Sequence, residues 1–143
     1  MAIYPQISAL FPEPALWAAH FALLVFHTLL TLFNALGWLI PTWRRVHLLV
    51  ILMTAFAWFI MGQWYGIGYC PLTDWHWEVL RALGKHDLPP GFIEYVIMLF
   101  PGVEVSSRMV YLGTAWGFGI ALSASLLLNG WWLWRKTKQP KHR

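Results

Sequence analysis

Three long stretches without a charged residue decide what this chain can fold into. No Asp, Glu, Lys or Arg occurs in residues 14–43, 46–73 or 109–134. Each stretch exceeds the roughly 20 apolar residues that a helix needs to cross a bilayer. Charged residues make up 11% of the chain and hydrophobic residues 59%, whereas about a quarter of a soluble domain is charged. The sequence therefore predicts an integral membrane protein and excludes intrinsic disorder.

The predicted fold is all-α, an integral membrane helical bundle with three transmembrane helices at about 15–40, 47–69 and 108–134. Between the second and third helices we expect an interfacial helix and a short half-membrane or re-entrant apolar segment. Residues 1–135 form a single transmembrane domain in this interpretation, and residues 136–143 form a basic cytoplasmic tail.

The positions of the basic residues predict how the chain is oriented. Arg44 and Arg45 lie between the first two spans, and five of the ten basic residues occur in the last nine positions. The positive-inside rule places both groups in the cytoplasm, so the N-terminus lies outside and the C-terminus inside. Tryptophan, which prefers the membrane–water boundary, agrees with this topology: it is found near the expected outer boundary at Trp17, Trp64, Trp75 and Trp77 and near the inner boundary at Trp38, Trp43, Trp131, Trp132 and Trp134.

The outer segment contains two shorter apolar patterns. Residues 74–83 predict an amphipathic helix with Asp74 or Thr73 as its N-cap and Gly84 as its stop. Its Trp75 side would face the bilayer, and its Glu78 side would face water. Residues 92–100 would rise about 14 Å as a helix, half of the hydrocarbon thickness, so this run is too short to span.

Polar side chains inside the spans recur at helical spacing. At 100° per residue, each of two sets falls in one narrow stripe that should face the bundle interior. The stripes comprise His20, His27, Thr31 and Asn34 on the first helix and His47, Thr54, Trp58, Met61 and Tyr65 on the second. The third helix is rich in small residues, and its Gly113 and Gly117 form a GxxxG pattern typical of close helix packing.

These stripes supply the candidate ligand or cofactor residues: His20, His27, His47, Tyr65 and Glu94. His27 should lie at the midplane and His47 at the cytoplasmic boundary, a depth difference of about 15 Å that makes them a poor pair for one haem iron. We expect Tyr65, Gln63 and Met61 to be the neighbours of His20. His76 could approach His20 only if the interfacial helix folded back over the bundle.

Each candidate also has a simpler interpretation. His27 could be a buried hydrogen-bonded imidazole, a cofactor or metal ligand, or a group that handles protons or quinone. His47, which follows two arginines, suits an interfacial or headgroup role, and Glu94 could be functional or exposed at the interface. Cys70 most simply ends the second helix, because Pro71 follows it. Cys70 and His76 are weak metal candidates, since two ligands do not make a zinc site.

Several functional classes lack their sequence signatures. The chain has no Ser-His-Asp ordering, phosphate-binding glycine loop or HExxH motif. It has no basic folded domain that could read a nucleic-acid groove, so we expect no nucleic-acid partner. A single cysteine excludes an intramolecular disulfide.

The sequence resembles a family of small bacterial membrane proteins of unknown function over residues 15–125. The resemblance is carried by His27, Phe33, Gly37, His47 after a basic turn, the string Cys70-Pro71-Leu72-Thr73, and Phe92-Ile93-Glu94. It implies a bacterial origin and a location in the cytoplasmic membrane. It implies no activity, because the family has none assigned.

Three functional hypotheses remain open at this point. The first, which we favour, is a non-enzymatic accessory, assembly or partner-binding subunit that contacts membrane lipid and forms a homo-oligomer or joins a larger membrane complex. The second is a redox or ligand-binding protein that holds haem b, a metal or a quinone near His20, His27 and Tyr65. The third is conduction of protons or small solutes along the polar stripes.

Overall fold

The computed structural model of the protein describes residues 10–138. This part of the chain is helical and contains no strand. In chain order the helices are α1 (Glu13–Leu36), α2 (Arg44–Ala55), α3 (Gly62–Tyr65), α4 (Pro71–Ala82), α5 (Phe92–Met98) and α6 (Ser107–Lys138). A π-helical stretch, Phe56–Met61, joins α2 to α3 without a break.

Three helical rods are long and apolar enough to cross a membrane, which confirms the predicted bundle. They run over Glu13–Leu39, Pro41–Tyr65 and Ser107–Lys138. The second rod begins six residues before the predicted start at residue 47, because the 3₁₀ turn that opens at Pro41 leads directly into α2. It ends at Tyr65, since Gly66 adopts the left-handed backbone (φ 103°) that stops the helix.

The π-helical stretch explains why part of the second stripe turns away from the interior. A π turn holds more residues than an α turn, so side chains beyond it lag behind the 100° spacing on which the prediction rested. His47 and Ile51, before the stretch, are fully buried, whereas Tyr65, after it, is 66% exposed. The sequence carries no Pro or Gly at this point that would signal the change.

α4 and α5 cover the first half of α1. Their core consists of Trp77, Leu80 and Phe92, with Leu24 of α1 and three other apolar side chains packed around it. The Trp77 indole N–H donates to the carbonyl of Pro89 (3.1 Å) and so ties α4 to the loop before α5.

α4 differs from the predicted helix in its start and in its surroundings. It begins at Pro71 with Cys70 as N-cap, three residues earlier than predicted, because proline suits the first helical position. Its end at Ala82, followed by Gly84 with φ 80°, agrees with the prediction. The sequence predicted a bilayer face and a water face for this helix. α4 also has a third face, which includes His76 and is buried against protein.

As predicted, residues 92–100 do not form a fourth crossing, because α5 has only seven residues. α6 packs against α2 through Ala121, Ser125 and Asn129, its buried residues. The predicted packing glycines, Gly113 and Gly117, lie instead on the exposed side of α6.

A Cβ added at either glycine would meet nothing within 4 Å among the described residues, so neither glycine packs against another helix of this chain. The outer face of α6, formed by Met109, Gly113, Trp116, Gly117, Ile120 and Leu127, is exposed along its length. α6 continues through Lys138, so residues 136–138 of the predicted tail are helical, and residues 139–143 lie outside the described part of the chain.

Candidate functional site

The inward stripe of α1 meets the start and middle of α4 in a buried group of polar side chains, which we call the histidine cluster: His20, His27, Cys70 and His76. His20 and His27 are each 6% exposed, and His76 is fully buried. The prediction that the two α1 histidines face protein is therefore confirmed.

His20 and His76 form a direct imidazole pair. His20 Nδ1 lies 2.7 Å from His76 Nε2, and the two rings stack with centroids 4.9 Å apart. One of these nitrogens must carry a hydrogen and the other must present its lone pair. Burial lowers the pKa of His76 to about 4, and the neighbouring His20 ring adds to this effect. The pair is therefore a neutral hydrogen bond at physiological pH.

The neighbours predicted for His20 are wrong. His76 is its partner because α4 does fold back along α1, the arrangement that the sequence interpretation treated as an exception. Tyr65 stacks instead on Tyr69, with ring centroids 4.5 Å apart, and its ring is largely exposed. The sequence signal that could have revealed the contact is Pro71, which starts α4 early enough for His76 to reach α1.

His27 pairs with the thiol of Cys70. His27 Nε2 lies 3.6 Å from Cys70 Sγ, within hydrogen-bonding range for sulfur. The flat face of the His27 imidazole stacks on the Phe92 ring, with the two centroids 3.7 Å apart and an angle of 14° between the ring planes. Because Cys70 is the N-cap of α4 and Phe92 opens α5, His27 joins the beginnings of two helices to the middle of α1.

Two nitrogens of the histidine cluster have no hydrogen-bond partner. His27 Nδ1 and His76 Nδ1 are inaccessible and unpaired within the described residues. Burying a polar atom without a partner costs about 1–3 kcal/mol, and folded proteins rarely leave such atoms unsatisfied. Two of them in one small cluster are therefore a feature that the packing of the described residues does not account for.

Glu94 occupies a separate position. Its side chain is buried, and the Ser107 hydroxyl at the start of α6 donates to its Oε1 at 2.7 Å. This burial does not agree with exposure at the interface, one of the two interpretations of Glu94 that the sequence left open. The contact ties α5 to α6 at the end of the bundle opposite Arg44.

His47 organises a second polar group, the His47 network. His47 is fully buried; its Nδ1 lies 3.0 Å from Ser125 Oγ and its Nε2 lies 3.1 Å from the Asn34 carbonyl. A carbonyl oxygen can only accept a hydrogen bond, so His47 Nε2 carries the hydrogen. This bond satisfies one of the carbonyl groups in the last turn of α1, which have no partner within the helix. Asn129 adds bonds to the Ser125 and Arg44 carbonyls.

The expected headgroup role of His47 is therefore wrong, because the ring bridges three helices inside the protein. Gly37 makes room for it: a Cβ at this position would lie 2.7 Å from His47 Cδ2. Asn34 further donates to Thr54 Oγ1 at 3.1 Å, which joins the two predicted stripes. Sequence reasoning missed Ser125 and Asn129, although both recur at helical spacing with Ala121.

Neither the His20–His76 pair nor His47 fits the axial position of a bis-histidine haem. Two axial nitrogens lie about 4 Å apart across an iron, twice a metal–nitrogen bond of about 2.0 Å, whereas the His20–His76 nitrogens are 2.7 Å apart. Both ring nitrogens of His47 already have partners. Residues 10–138 contain no group of three or more His, Cys, Asp or Glu side chains arranged to hold a metal ion. The Cys70 and His76 metal hypothesis therefore gains no support, since each contacts a different imidazole.

A comparison with protein families gives one match. Residues 17–130 match the family of proteins of unknown function designated DUF2784. The chain belongs to this family. No curated protein and no solved structure matches it. The resemblance to an uncharacterised family is thereby confirmed.

Six of the residues that carried this resemblance lie in or against the two polar groups of the DUF2784 protein. In the histidine cluster His27 contacts Cys70, and its ring stacks on Phe92. Gly37 contacts His47 in the His47 network, and the Phe33 ring packs against the same imidazole at a centroid distance of 5.5 Å. Residues far apart in the sequence thus form two compact sites.

Proposed function

We propose that this DUF2784 protein is a non-enzymatic subunit of the bacterial inner membrane that binds other membrane-spanning chains. These partners are further copies of itself or larger membrane proteins. The observation that supports the proposal is the outer face of α6, where Gly113 and Gly117 have nothing within 4 Å of an added Cβ.

Small residues on an exposed helix face favour association in a membrane. Lipid tails supply no hydrophobic drive between helices, so close backbone approach and van der Waals contact determine which faces associate. Gly113 and Gly117 would let a second helix approach closely. Trp116, 72% exposed, and Ile120, 61% exposed, flank them and offer large surfaces for packing.

The proposed orientation places the N-terminus outside and the α1–α2 turn in the cytoplasm. Basic and aromatic side chains gather at the proposed inner boundary. Arg45 lies over the Trp132 ring at 3.9 Å, and Arg135 lies over the Trp131 ring at 3.6 Å. Such pairs keep the cation near water while the ring remains in the interfacial region.

Substitution of the two glycines by leucine tests the proposal. We expect wild-type protein, solubilised from its native membrane in mild detergent, to elute as an oligomer or with a partner. Gly113→Leu with Gly117→Leu should shift it to the mass of a monomer, because the added side chains prevent close approach. Gly130→Leu is the matched control, since Gly130 is exposed but points about 120° away from the midpoint of the pair. A wild-type monomer without a co-purifying chain would refute the proposal.

A second candidate function, ligand binding in the histidine cluster, is favoured by the unpaired Nδ1 atoms of His27 and His76. A small polar ligand such as a quinone headgroup could hydrogen-bond to either nitrogen. The test is a visible spectrum, a metal analysis and solvent extraction of quinone from protein purified from its own host. We expect extractable quinone in wild type and its loss in His27→Leu. A sample free of quinone, metal and visible absorption would end this candidate.

A further inference from the structure

A groove with a volume of about 600 Å³ runs between α1 and α4 on the side of the bundle. This volume falls within the range of about 300–1,000 Å³ that is typical of small-molecule sites. On α1 the groove follows Ala15, Leu16 and Ala19, which lie on one side of the helix, and Phe11 closes it just before the helix begins. The two alanines leave the space that larger side chains would fill.

The α4 wall of the same groove adds apolar and acidic side chains. Trp75 and Val79 continue the apolar lining, and Asp74 and Glu78 add two carboxylates. The eight lining residues, all within the described part of the chain, include no Lys, Arg or His. Asp74 accepts a hydrogen bond from the Tyr69 hydroxyl at 3.1 Å. Glu78 Oε2 is inaccessible and has no hydrogen-bond partner among residues 10–138.

The proposed topology places the groove near the outer membrane boundary, where tryptophan side chains gather. Trp17 on α1 and Trp75 on α4 are 37% and 61% exposed, as expected for side chains in the interfacial region. A carboxylate at the edge of an apolar groove in this region is costly unless a cation accompanies it. A molecule that fills the groove should therefore combine an apolar chain with a positive charge.

We propose that the groove between α1 and α4 binds a phospholipid whose headgroup carries a primary ammonium, with an acyl chain against the alanines and the ammonium between Asp74 and Glu78. A lipid with a net negative headgroup would bring its charge toward two carboxylates without the compensating ammonium. The proposal depends on the membrane location of the chain and is independent of partner binding by α6.

The test measures lipid selectivity of the full-length protein. The protein is reconstituted in nanodiscs that contain equal amounts of phosphatidylethanolamine and phosphatidylglycerol with identical acyl chains. It is then released into detergent, and the retained lipids are counted by native mass spectrometry. We expect phosphatidylethanolamine to be enriched about threefold or more among retained lipids, as charge pairs near a surface allow.

The double variant Asp74→Asn with Glu78→Gln should lose this enrichment and return to the bulk ratio. Asp87→Asn is the matched control: it removes one exposed carboxylate outside the groove and should keep the wild-type ratio. Ala19→Phe should fill the groove and lower retention of both lipids. Thermal unfolding of each variant confirms that it is folded, and the single variants Asp74→Asn and Glu78→Gln replace the double variant if it is not.

Three results would overturn the proposal. The first is a bulk ratio of the two lipids on the wild-type protein, and the second is enrichment of phosphatidylglycerol. The third is a change of oligomeric mass in the groove variants without any lipid selectivity, because this result would make the groove a protein–protein interface. Loss of oligomerisation in the Gly113 and Gly117 variants leaves the lipid result unaffected, so the two proposals fail separately.

Discussion

Acidification should loosen α4 from α1, because His76 holds the two helices together only as a neutral ring. At neutral pH one hydrogen lies between His20 Nδ1 and His76 Nε2. A further proton on His76 would place a positive charge in a fully buried side chain against the neighbouring ring. The same ring packs near Tyr95 and Phe92, with centroids 5.6 and 6.0 Å away, so its protonation affects the whole α4–α5 core.

The size of the effect follows from the pKa of His76. Burial and the His20 ring lower this pKa from 6.5 to about 4 in the docked state, and release of α4 restores the ordinary value. At 1.36 kcal/mol per pH unit, the difference amounts to about 3 kcal/mol. Because the docked pKa is the lower one, this stability is fully present above pH 6.5. It is lost as the pH falls from 6.5 towards 4, and it changes little below that.

Hydrogen exchange of the α4 amides directly measures how far α4 loosens from α1 at each pH. The protein is held in nanodiscs between pH 7.5 and pH 4, and exchange rates are corrected for the pH dependence of the free amide. We expect the equilibrium constant for opening of α4 to rise about a hundredfold over this range. His76→Gln should reduce the rise, because it removes one of the buried imidazoles that lie between α1 and α4. His86→Gln, in the exposed loop after α4, should leave it intact.

Two results would refute the reasoning. One is a pH response of α4 that His76→Gln does not change, because the titrating group would then lie elsewhere. The other is greater protection of α4 at pH 4 than at pH 7.5, because the sign of the linkage would then be reversed.

Two further predictions concern the His47 network. Gly37→Ala should destabilise the protein by about 1–3 kcal/mol, since the new Cβ would lie 2.7 Å from a carbon of the His47 ring. Gly130→Ala, which meets nothing within 4 Å, should cost little by comparison in the same thermal unfolding assay in detergent. Ser125→Ala should lower the free energy of unfolding by about 1–2 kcal/mol, because it leaves His47 Nδ1 without its partner. Ser123→Ala, at an exposed position of α6, should change the free energy of unfolding by far less. Equal losses in the two serine variants would contradict the assigned hydrogen bond between Ser125 and His47.

The sequence was sufficient for features that depend on local composition. The three spans follow from charge-free stretches, and the inward direction of His20 and His27 follows from 100° spacing on a regular helix. The short α5 follows from its length, because seven to nine residues cannot cross a bilayer. These predictions needed no knowledge of which helices touch.

The sequence was insufficient where contacts join distant segments or where the helix is irregular. The π-helical stretch Phe56–Met61 turned Tyr65 outward, and no residue in it marks the change. His76 was placed on a free interfacial helix, because the pattern of α4 gives its faces and not the element against which they pack. The same gap explains why Ser125 and Asn129 were missed, because spacing along α6 does not show which neighbouring helix its faces meet.

The two polar groups differ in a way that separates stability from function. In the His47 network both ring nitrogens have partners, so the network can be explained by the need to join three helices. In the histidine cluster His27 and His76 each keep one buried nitrogen unpaired, although both pack against aromatic rings. Stability alone would favour an apolar side chain at His27, because its unpaired buried Nδ1 costs free energy and its Nε2 contacts only the weakly bonding Cys70 thiol. His27→Leu should therefore leave the unfolding temperature unchanged or raised, and a fall similar to that of a His47→Leu variant would show that the two groups share one structural role.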